Sequence, residues 1–378
     1  MNTGTSLIAS LALAAALAAS GASAQDELWK EPRCEPLPTD RHGQFIPLTD
    51  GSLLTVGDNI TLISKDGGKT WTEQGAIVVP NEGPGRPKSG GEGAGCMLKT
   101  KSGAIVLVYM DLDGYKFNWN PQTDELDADL DVWAVRSLDE GKTWVDRQKI
   151  LDGYCGSLQN MIQTKDGHIV VPVQDAVRGP VHHAQYVFVS ADDGKTWTRS
   201  NLVDIGGRGD HGGGFEATVV ELKDGRLWQL IRTNLDRFWS AYSDDHGYHW
   251  RVVKPSRIDA SSSPGYLKRL ASGRLILAWN RLYPEGLDDA AKATYPRYDR
   301  IMGSEVPPSL MREELSIAFS NDDGKTWTKP TVILRGENLS YPYIFERRPG
   351  ELWIATIKAD YSGRAMRVAL KEADFIVP

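Results

Sequence analysis

The sequence predicts an all-β protein that folds as a six-bladed β-propeller with four-stranded antiparallel blades. Two repeated patterns predict this fold. An eight-residue phrase, Ser-x-Asp-x-Gly-x-Thr-Trp, occurs five times with small variations, and a short apolar strand that begins with Gly after a polar turn occurs six times. Helical periodicity is nearly absent. Repeated four-stranded units can be arranged radially with only short, protected sheet edges, so the repeats indicate a propeller.

The eight-residue phrase, which we call the Asp-box, lies between short apolar runs, an arrangement typical of a hairpin turn. The Asp carboxylate can accept hydrogen bonds from backbone N–H groups of the turn, the Gly tolerates a positive φ, and the Trp can pack over the hairpin. We therefore expect the Asp-boxes to build structure rather than to carry out chemistry. The copies are Ser64–Trp71, Ser137–Trp144, Ser190–Trp197, Ser243–Trp250, in which His249 replaces the Thr, and Ser320–Trp327.

The repeats form six units, each with the order strand, turn, Gly-initiated strand, loop and strand, and in five of them an Asp-box and a last strand follow. The sixth unit, after Tyr341, has only three clear strands and no Asp-box. We expect the segment Trp29–Glu35 to supply the missing strand and to close the ring. The insertion 281–312 is expected to hold a short helix around Gly286–Ala293. The Gly-initiated strands begin at Gly51, Gly103, Gly167, Gly225, Gly273 and Gly350.

The beginning of the sequence predicts a signal peptide over residues 1–24. Met1–Ala24 has no charged residue, contains an apolar run at Leu7–Ala18, and ends in the small-x-small cleavage pattern Ala22-Ser23-Ala24. The apolar run is shorter than the ~20 residues that a membrane span needs. We expect export to the periplasm or beyond, with residues 25–378 forming a single propeller domain and no membrane span.

The composition argues against several classes of protein. The net charge of −7 gives no support to nucleic-acid binding, which needs a basic surface. No Cys/His cluster has the spacing of zinc ligands, and we expect neither a metal nor a cofactor. In an oxidising compartment Cys34, Cys96 and Cys155 would permit one disulfide, and their spacing leaves the pairing open.

Five Asp-boxes on six predicted blades resemble the sialidase (neuraminidase) superfamily, and the resemblance covers essentially the whole chain after the signal peptide. The Asp-box alone is only moderately specific, and a fold does not settle a function. The resemblance implies a site on the face opposite the Asp-boxes. There, the family binds a sugar carboxylate with three arginines and uses a tyrosine nucleophile activated by a glutamate.

The sequence offers a candidate for each of these roles. The segment Glu216–Arg226 matches the family pattern Glu-x-x-Val-Val-Glu-Leu-x-Asp-Gly-Arg, which implies Glu216 as the activating glutamate and Arg232 as the second arginine. Arg312 resembles the third arginine. Tyr341, in Ser340-Tyr341-Pro342, is similar to the nucleophile, with Tyr343 as the nearby competitor.

The first arginine and the acid/base residue depart from the family pattern. The Arg-Ile-Pro motif is absent, and Arg41, in Arg41-His42-Gly43-Gln44, stands in register with it. The resemblance implies Asp58 as the acid/base residue, but here it follows a strand in a tight turn rather than in a long loop. The alternatives for this role, which stay open, are Glu92, Asp111, Asp175 and Asp210.

The chemistry of these residue types agrees with the resemblance. Arginine is always charged and binds carboxylates through two parallel hydrogen bonds, so converging arginines indicate an anionic ligand. A sugar with a carboxylate at its anomeric carbon would repel an Asp or Glu nucleophile, whereas a phenol deprotonated during attack avoids this repulsion. A covalent intermediate predicts retention of configuration.

We therefore predict a secreted exo-α-sialidase that releases terminal sialic acid from sialylated glycans. One alternative is a propeller glycosidase or lyase that acts on another anionic sugar, such as a uronate. The other is a non-catalytic propeller that only binds carbohydrate. Insertions 111–130 and 281–311 are expected to shape the rim of the site.

Overall fold

A computed structural model describes residues 29–57, 59–77, 95–298, 304, 306–358 and 366–376. The predicted signal peptide, Asp58 and Glu92 lie outside the described residues. The described strands form six antiparallel sheets of four or five strands in a ring, which confirms the predicted six-bladed propeller.

The first three blades follow one another along the chain after two short strands. These strands are β1 (Trp29–Lys30) and β2 (Glu35–Pro36). Blade one contains β3 (Ile46–Pro47), β4 (Leu53–Gly57), β5 (Ile60–Ser64) and β6 (Thr72–Ala76). Blade two contains β7 (Gly95–Lys99), β8 (Ile105–Met110), β11 (Val132–Ser137) and β12 (Val145–Leu151), with the inserted hairpin of β9 (Lys116–Asn120) and β10 (Glu125–Asp129). Blade three contains β13 (Ile162–Gln163), β14 (Ile169–Arg178), β15 (Val181–Ser190) and β16 (Thr198–Arg199).

The last three blades complete the ring. Blade four contains β17 (Gly214–Glu221), β18 (Leu227–Thr233), β19 (Arg237–Ser243) and β20 (Val252–Asp259). Blade five contains β21 (Tyr266–Arg269), β22 (Leu275–Trp279), β23 (Glu314–Ser320) and β24 (Thr331–Arg335). Blade six contains β25 (Ser340–Arg348), β26 (Glu351–Lys358) and β27 (Arg367–Lys371).

The two N-terminal strands join blades that the end of the chain forms. Strand β2 pairs with β27 and gives blade six its fourth strand, as the sequence predicted for this segment. Strand β1 pairs with β24 and adds a fifth strand to blade five, which the sequence did not predict. Pairing the two ends of the chain in this way covers sheet edges that would otherwise be exposed.

The core lies between neighbouring blades. All six residues of β8 and all five of β22 are buried, because sheets pack against both faces of these strands. Such strands are continuously apolar rather than alternating. The outermost strand of blade one, β6, is by contrast exposed or half-buried throughout and polar in sequence.

The Asp-boxes form the turns that their sequence predicts. In the third copy, Asp192 accepts hydrogen bonds from the backbone N–H of Thr196 at 2.8 Å and from its hydroxyl at 2.7 Å. The Ser190 hydroxyl donates to Asp192 and accepts from the N–H of Gly194, whose φ is +81°. The Trp197 indole N–H donates back to the Gly194 carbonyl. Each box is therefore closed by contacts among its own eight residues.

Two further expectations concern the insertion and the cysteines. A helix, α1 (Asp289–Ala293), lies where the sequence predicted one, and Asp288 caps it by accepting from the N–H of Ala291. The three cysteines are buried free thiols, so the disulfide that the sequence permitted is not formed. Within the described ranges, no helix is long and apolar enough to cross a membrane, and no group of three metal-ligating side chains is found.

Candidate active site

A cavity of about 1180 Å³ opens on the face opposite the Asp-boxes. The Asp-box turns join the third and fourth strands of their blades, whereas the cavity is lined near the starts of first strands and the ends of second strands. Antiparallel pairing puts these two sets of strand ends on opposite faces of the ring. Four of the six residues that the sequence predicts for the site line this cavity: Glu216, Arg232, Arg312 and Tyr341.

The hydroxyl of Tyr341 donates a 2.7 Å hydrogen bond to Oε1 of Glu216. Both residues have a left-handed backbone, with φ values of +57° and +54°. Glu216 lies in a β-bulge where the pairing of β17 with β18 shifts between Phe215 and Thr218. A bulge re-aims a side chain, and left-handed backbone in residues other than glycine clusters at functional sites. The backbone of both strands is therefore bent to bring these side chains together.

Arg232 is buried at the centre of this cluster, with 2 % of its surface exposed. Its Nη1 donates a short hydrogen bond to Oε2 of Glu216 and a 3.3 Å bond to the Tyr341 hydroxyl. Its Nε and Nη2 both donate to the Ser262 hydroxyl. The guanidinium carbon lies 4.4 Å from the centroid of the Phe215 ring. Every nitrogen of Arg232 thus already has a protein partner.

Arg312 has more donor capacity to spare. Its Nη2 donates to the Ser262 carbonyl at 3.0 Å, and its Nη1 is 3.5 Å from the Ser340 hydroxyl. Its buried Nε has no hydrogen-bond partner among the described residues. The guanidinium carbon lies 5.9 Å from the centroid of the Tyr341 ring. Arg312 therefore keeps more hydrogen-bond donors for an anion than Arg232 does.

The electrostatics of the cluster set the proton positions. Burial would raise the pKa of Glu216, but the charge and hydrogen bonds of Arg232 outweigh it, and the pKa is lowered. Burial, and next the charge of Glu216, raise the pKa of Tyr341 to about 12. At neutral pH the pair is a carboxylate and a neutral phenol, so Glu216 is ready to accept the phenol proton.

Two other residues that the sequence analysis named, Arg41 and Tyr343, are absent from the described lining of the cavity. Arg41 is half-exposed, with its Nε 3.7 Å from the Asp40 carboxylate. It is absent from the part of the cavity lining that the structure describes. Tyr343, the competitor of Tyr341, is buried among aromatic side chains, and its oxygen accepts the backbone N–H of Phe45 at 3.0 Å. Tyr343 is therefore a core residue, and a role for Arg41 in carboxylate binding stays a prediction.

The described candidates for the acid/base residue differ in whether they line the cavity. Asp210 lines the cavity, and its buried Oδ1 accepts no hydrogen bond from a described residue. Asp175 accepts from the N–H groups of Tyr154 and Ala176, and Asp111 caps a short 3₁₀ turn, Leu112–Gly114. Neither lines the cavity.

The sequence did not single out one wall of the cavity. Gln174 of β14 and His183 of β15, whose side chains are hydrogen-bonded diagonally across the hairpin, lie on this wall with Tyr154 and Phe117. Phe117 comes from the hairpin in 111–130, one of the two insertions that the sequence predicted at the rim, and Tyr298 and Leu310 come from the other. The two histidines of the pair His182-His183 have different surroundings, because His182 pairs with Asp204 and His183 faces the cavity.

The model of the BNR repeat-like domain matches residues 58–354. The chain belongs to the BNR repeat-like domain family. This match covers most of the ring just described, including every blade. It agrees with the sialidase-like fold that the Asp-boxes predicted.

Two curated relatives of this BNR repeat-like protein are named sialidases. The one from Paraclostridium sordellii is 29% identical over 182 residues, which cover 44% of this chain and 43% of the relative. The one from Bacteroides fragilis (strain YCH46) is 25% identical over 304 residues, which cover 74% of this chain and 50% of the relative. The chain thus spans about half the length of the curated relatives it matches.

A solved structure has the same fold. It is a Trypanosoma rangeli sialidase in complex with 2,3-difluorosialic acid, described as a covalent intermediate, with a TM-score of 0.56 and 13% identity. The match covers 92% of this chain and 60% of that one. Together, the family match and these relatives support a sialidase-like BNR repeat protein.

Proposed function

We propose that this protein is a retaining exo-α-sialidase that releases terminal sialic acid from glycoconjugates. The observation that carries the proposal is the 2.7 Å hydrogen bond from the Tyr341 hydroxyl to the Glu216 carboxylate in a cavity that also contains two arginines. A nucleophile within hydrogen-bond reach of a base, which a third group orients, is the geometry of activated nucleophiles. Here Arg232 orients the base.

The proposed first step joins the Tyr341 oxygen to the anomeric carbon. Glu216 accepts the phenol proton as the new bond forms, and the glycosidic bond breaks while an acid donates a proton to the leaving oxygen. In the second step a water molecule attacks the anomeric carbon and gives its proton to the conjugate base of that acid. The bond to Tyr341 then breaks, and Glu216 returns the proton to the phenol oxygen. Two displacements retain the configuration.

We propose Arg312 as the main carboxylate ligand and Arg232 mainly as the positioning residue of Glu216. The nitrogens of Arg232 are all engaged by Glu216, Tyr341 and Ser262. Arg312 keeps a free Nε and a weakly engaged Nη1. This division supports a clamp with fewer arginines than the resemblance implies, unless Arg41 reaches the bound sugar.

The first two candidates for the acid are Asp58, from the resemblance, and Asp210, from its place in the cavity lining, and Glu92, which lies outside the described residues, stays a third. An acid matters less when the leaving group is an activated phenol, because such a group leaves without protonation. Asp58→Ala and Asp210→Ala would each be assayed on a fluorogenic and on a natural sialoside. The variant that loses turnover only on the natural substrate identifies the acid.

The test of the proposed function compares wild type, Tyr341→Phe and Tyr343→Phe on a fluorogenic α-ketoside of N-acetylneuraminic acid. We expect Tyr341→Phe to abolish turnover and Tyr343→Phe, which removes a hydroxyl group from the core two residues away, to retain it. Incubation with 2,3-difluorosialic acid is expected to label Tyr341, detected by peptide mass spectrometry. No turnover by folded wild type would refute the proposal.

A second candidate function is a glycosidase or lyase for another anionic sugar, such as a uronate. The observation that favours it is the absence of Arg41 from the described cavity lining, which leaves fewer arginines for the carboxylate. Turnover of uronide substrates without turnover of sialosides would support this candidate.

We also propose that the protein is exported after cleavage behind Ala24. The uncharged, apolar Met1–Ala24 segment and its Ala-x-Ala ending support this proposal. N-terminal sequencing of the protein from a native-like host is expected to begin at Gln25. An intact N-terminus on protein retained in the cytoplasm would contradict export.

A further inference from the structure

Gln174 is a buried polar side chain on the cavity wall. It has 4 % of its surface exposed, it comes from β14, and its amide lies against Gly156. Its Oε1 accepts no hydrogen bond from any described residue. A buried acceptor without a partner is costly, so its presence in a cavity wall calls for a reason.

The neighbouring hydrogen bonds fix which end of the amide is free. The Nε2 of His183 lies 2.6 Å from the carbonyl oxygen of Asp210, so this nitrogen must carry a proton and donate. Burial lowers the pKa of His183 to about 4, so the ring is neutral at neutral pH and its Nδ1 is an acceptor. Gln174 must then present its NH₂ group to Nδ1, at 2.9 Å. This orientation leaves the carbonyl oxygen of Gln174 as the unpaired atom.

The His183 ring, to which the Gln174 amide is hydrogen-bonded, has aromatic neighbours. The Phe117 and Tyr154 rings lie 4.8 Å apart between centroids, and each lies about 6 Å from the His183 ring, at 6.3 and 6.0 Å. Ligand sites are typically apolar surfaces with a few fixed polar groups that set the orientation of the ligand. The wall formed by Gln174, His183, Phe117 and Tyr154, which we call the amide wall, has this composition.

We propose that Oε1 of Gln174 accepts a hydrogen bond from the bound sugar and that Gln174 is a specificity-determining residue of this site. The donor is a hydroxyl or an amide N–H on a part of the sugar whose neighbouring carbon atoms pack on Phe117 and Tyr154. His183 is a positioning residue, because it holds the amide in the orientation that leaves the oxygen unpaired. The inference rests on the proposed function only in that the same cavity binds the sugar.

The test measures kcat/KM of wild type, Gln174→Met and Gln174→Glu on a sialoside and on analogues that each lack one hydroxyl or the amide N–H. Gln174→Met keeps the length of the side chain and removes the acceptor, and we expect about a tenfold loss of kcat/KM on the parent sialoside. On the analogue that lacks the recognised donor, this loss should vanish, since wild type and variant then make the same contacts. That analogue distinguishes a hydroxyl from an amide N–H.

Two controls separate recognition from structure. Gln174→Glu keeps an oxygen acceptor, so it should retain the preference for the parent over the analogue even if its affinity for an anion falls. Gln229→Leu removes a fully buried glutamine amide that has no described partner and lies outside the described cavity lining. We expect Gln229→Leu to leave kcat/KM unchanged. Melting temperatures of all variants report whether each one folds.

The outcomes distinguish this inference from the proposed function. Turnover of the sialoside by wild type, with Gln174→Met equal to wild type on every analogue, would overturn the inference alone. No turnover by wild type would overturn the proposed function, and the inference is then tested by calorimetric binding of anionic monosaccharides. In that experiment, the same Kd for wild type and Gln174→Met, or no binding by either protein, would overturn the inference about Gln174.

Discussion

The two faces of the propeller use the same kinds of side chain for different purposes. On the Asp-box face, Asp192 is paired with Ser190 and Thr196 of its own turn. On the cavity face, Glu216 is paired with Tyr341, which is 125 residues away, and with Arg232. A local partner costs little chain entropy to recruit and recurs with the repeat, whereas a distant partner requires the whole ring. Carboxylates that stabilise turns are thus repeated, and the carboxylate beside the tyrosine occurs once.

The backbone differs between the two faces in whether its left-handed positions repeat. On the Asp-box face they recur at the box glycines, such as Gly194 and Gly324, both with φ of +81°, and at the residues before them, Asp193 and Asp323, with φ of +57° and +61°. On the cavity face left-handed backbone occurs at Glu216 and Tyr341, side chains that disfavour it. Strain of this kind persists only where the surrounding structure imposes it. The comparison therefore predicts large effects on activity from one face and small effects on stability from the other.

The largest effect is expected for Glu216→Gln. Loss of the base should lower kcat by about 10²–10⁴-fold, and it also leaves Arg232 without its buried counter-charge. In wild type the pKa of Glu216 is lowered, so the acidic limb of kcat/KM should lie below pH 4.5, where the pH drops through the folded pKa. Rate–pH profiles of both proteins measure this. A wild-type acidic limb well above pH 4.5 would contradict Glu216 as the base.

A smaller effect is expected for Arg312→Met. Removal of free donors next to the cavity should raise KM and lower kcat/KM by about 10–100-fold, as charged hydrogen bonds to an anion are lost. Arg226→Met is the matched control, because Arg226 lies on an exposed turn and pairs only with the neighbouring Asp224 and over Tyr242. Steady-state kinetics on the fluorogenic sialoside measure both. Equal losses of kcat/KM in the two variants would contradict a role of Arg312 in binding the substrate.

On the Asp-box face, Asp192→Ala should lower the free energy of unfolding by about 1 kcal/mol and leave kcat unchanged. Burial raises the pKa of Asp192, but hydrogen bonds from Thr196 outweigh it and hold the pKa below 3.8. Because the folded pKa is the lower one, this stabilisation is present above pH 3.8 and is lost as the pH falls through the folded value. Denaturant unfolding at pH 7 and pH 3 should show a smaller difference between variant and wild type at pH 3.

The smallest effect is expected for His249→Thr. Nδ1 of His249 lies 2.8 Å from the Asp245 carboxylate, in the place where the other boxes have a Thr hydroxyl. The substitution replaces one exposed partner with another, so the free energy of unfolding should change by less than about 0.5 kcal/mol. A larger change in thermal unfolding would mean that the boxes are not equivalent.

Much of the fold could be predicted because its signals are local. The Ser, Asp, Gly and Trp of each box contact one another within eight residues, and short apolar strands surround them. The closing strand β2 could be predicted as well, because the last unit lacked a partner for β27. The extra strand β1 on blade five could not be predicted, because a segment of two residues is too short to show the periodicity of a strand.

Only part of the candidate site could be predicted from the sequence. The resemblance pointed to Glu216, Arg232, Arg312 and Tyr341, and these four side chains lie around one cavity. It also pointed to Arg41, which is absent from the described lining, because the register of a residue in a blade does not fix where a long side chain points. Nothing in the sequence marked Gln174 or His183, since their importance lies in a tautomer and an unpaired oxygen.

By itself, the sequence determined the blades and their turns, because hydrogen bonds between near neighbours and short apolar strands follow from short segments of chain, and the family resemblance implied the face of the site and the pairing of Glu216 with Tyr341. Only the tertiary structure decided which arginine keeps free donors and which wall contains an unpaired acceptor. Those properties arise where strands distant in the sequence converge in a region shielded from water. There, hydrogen bonds and charges depend on the distances between side chains and not on their order in the chain.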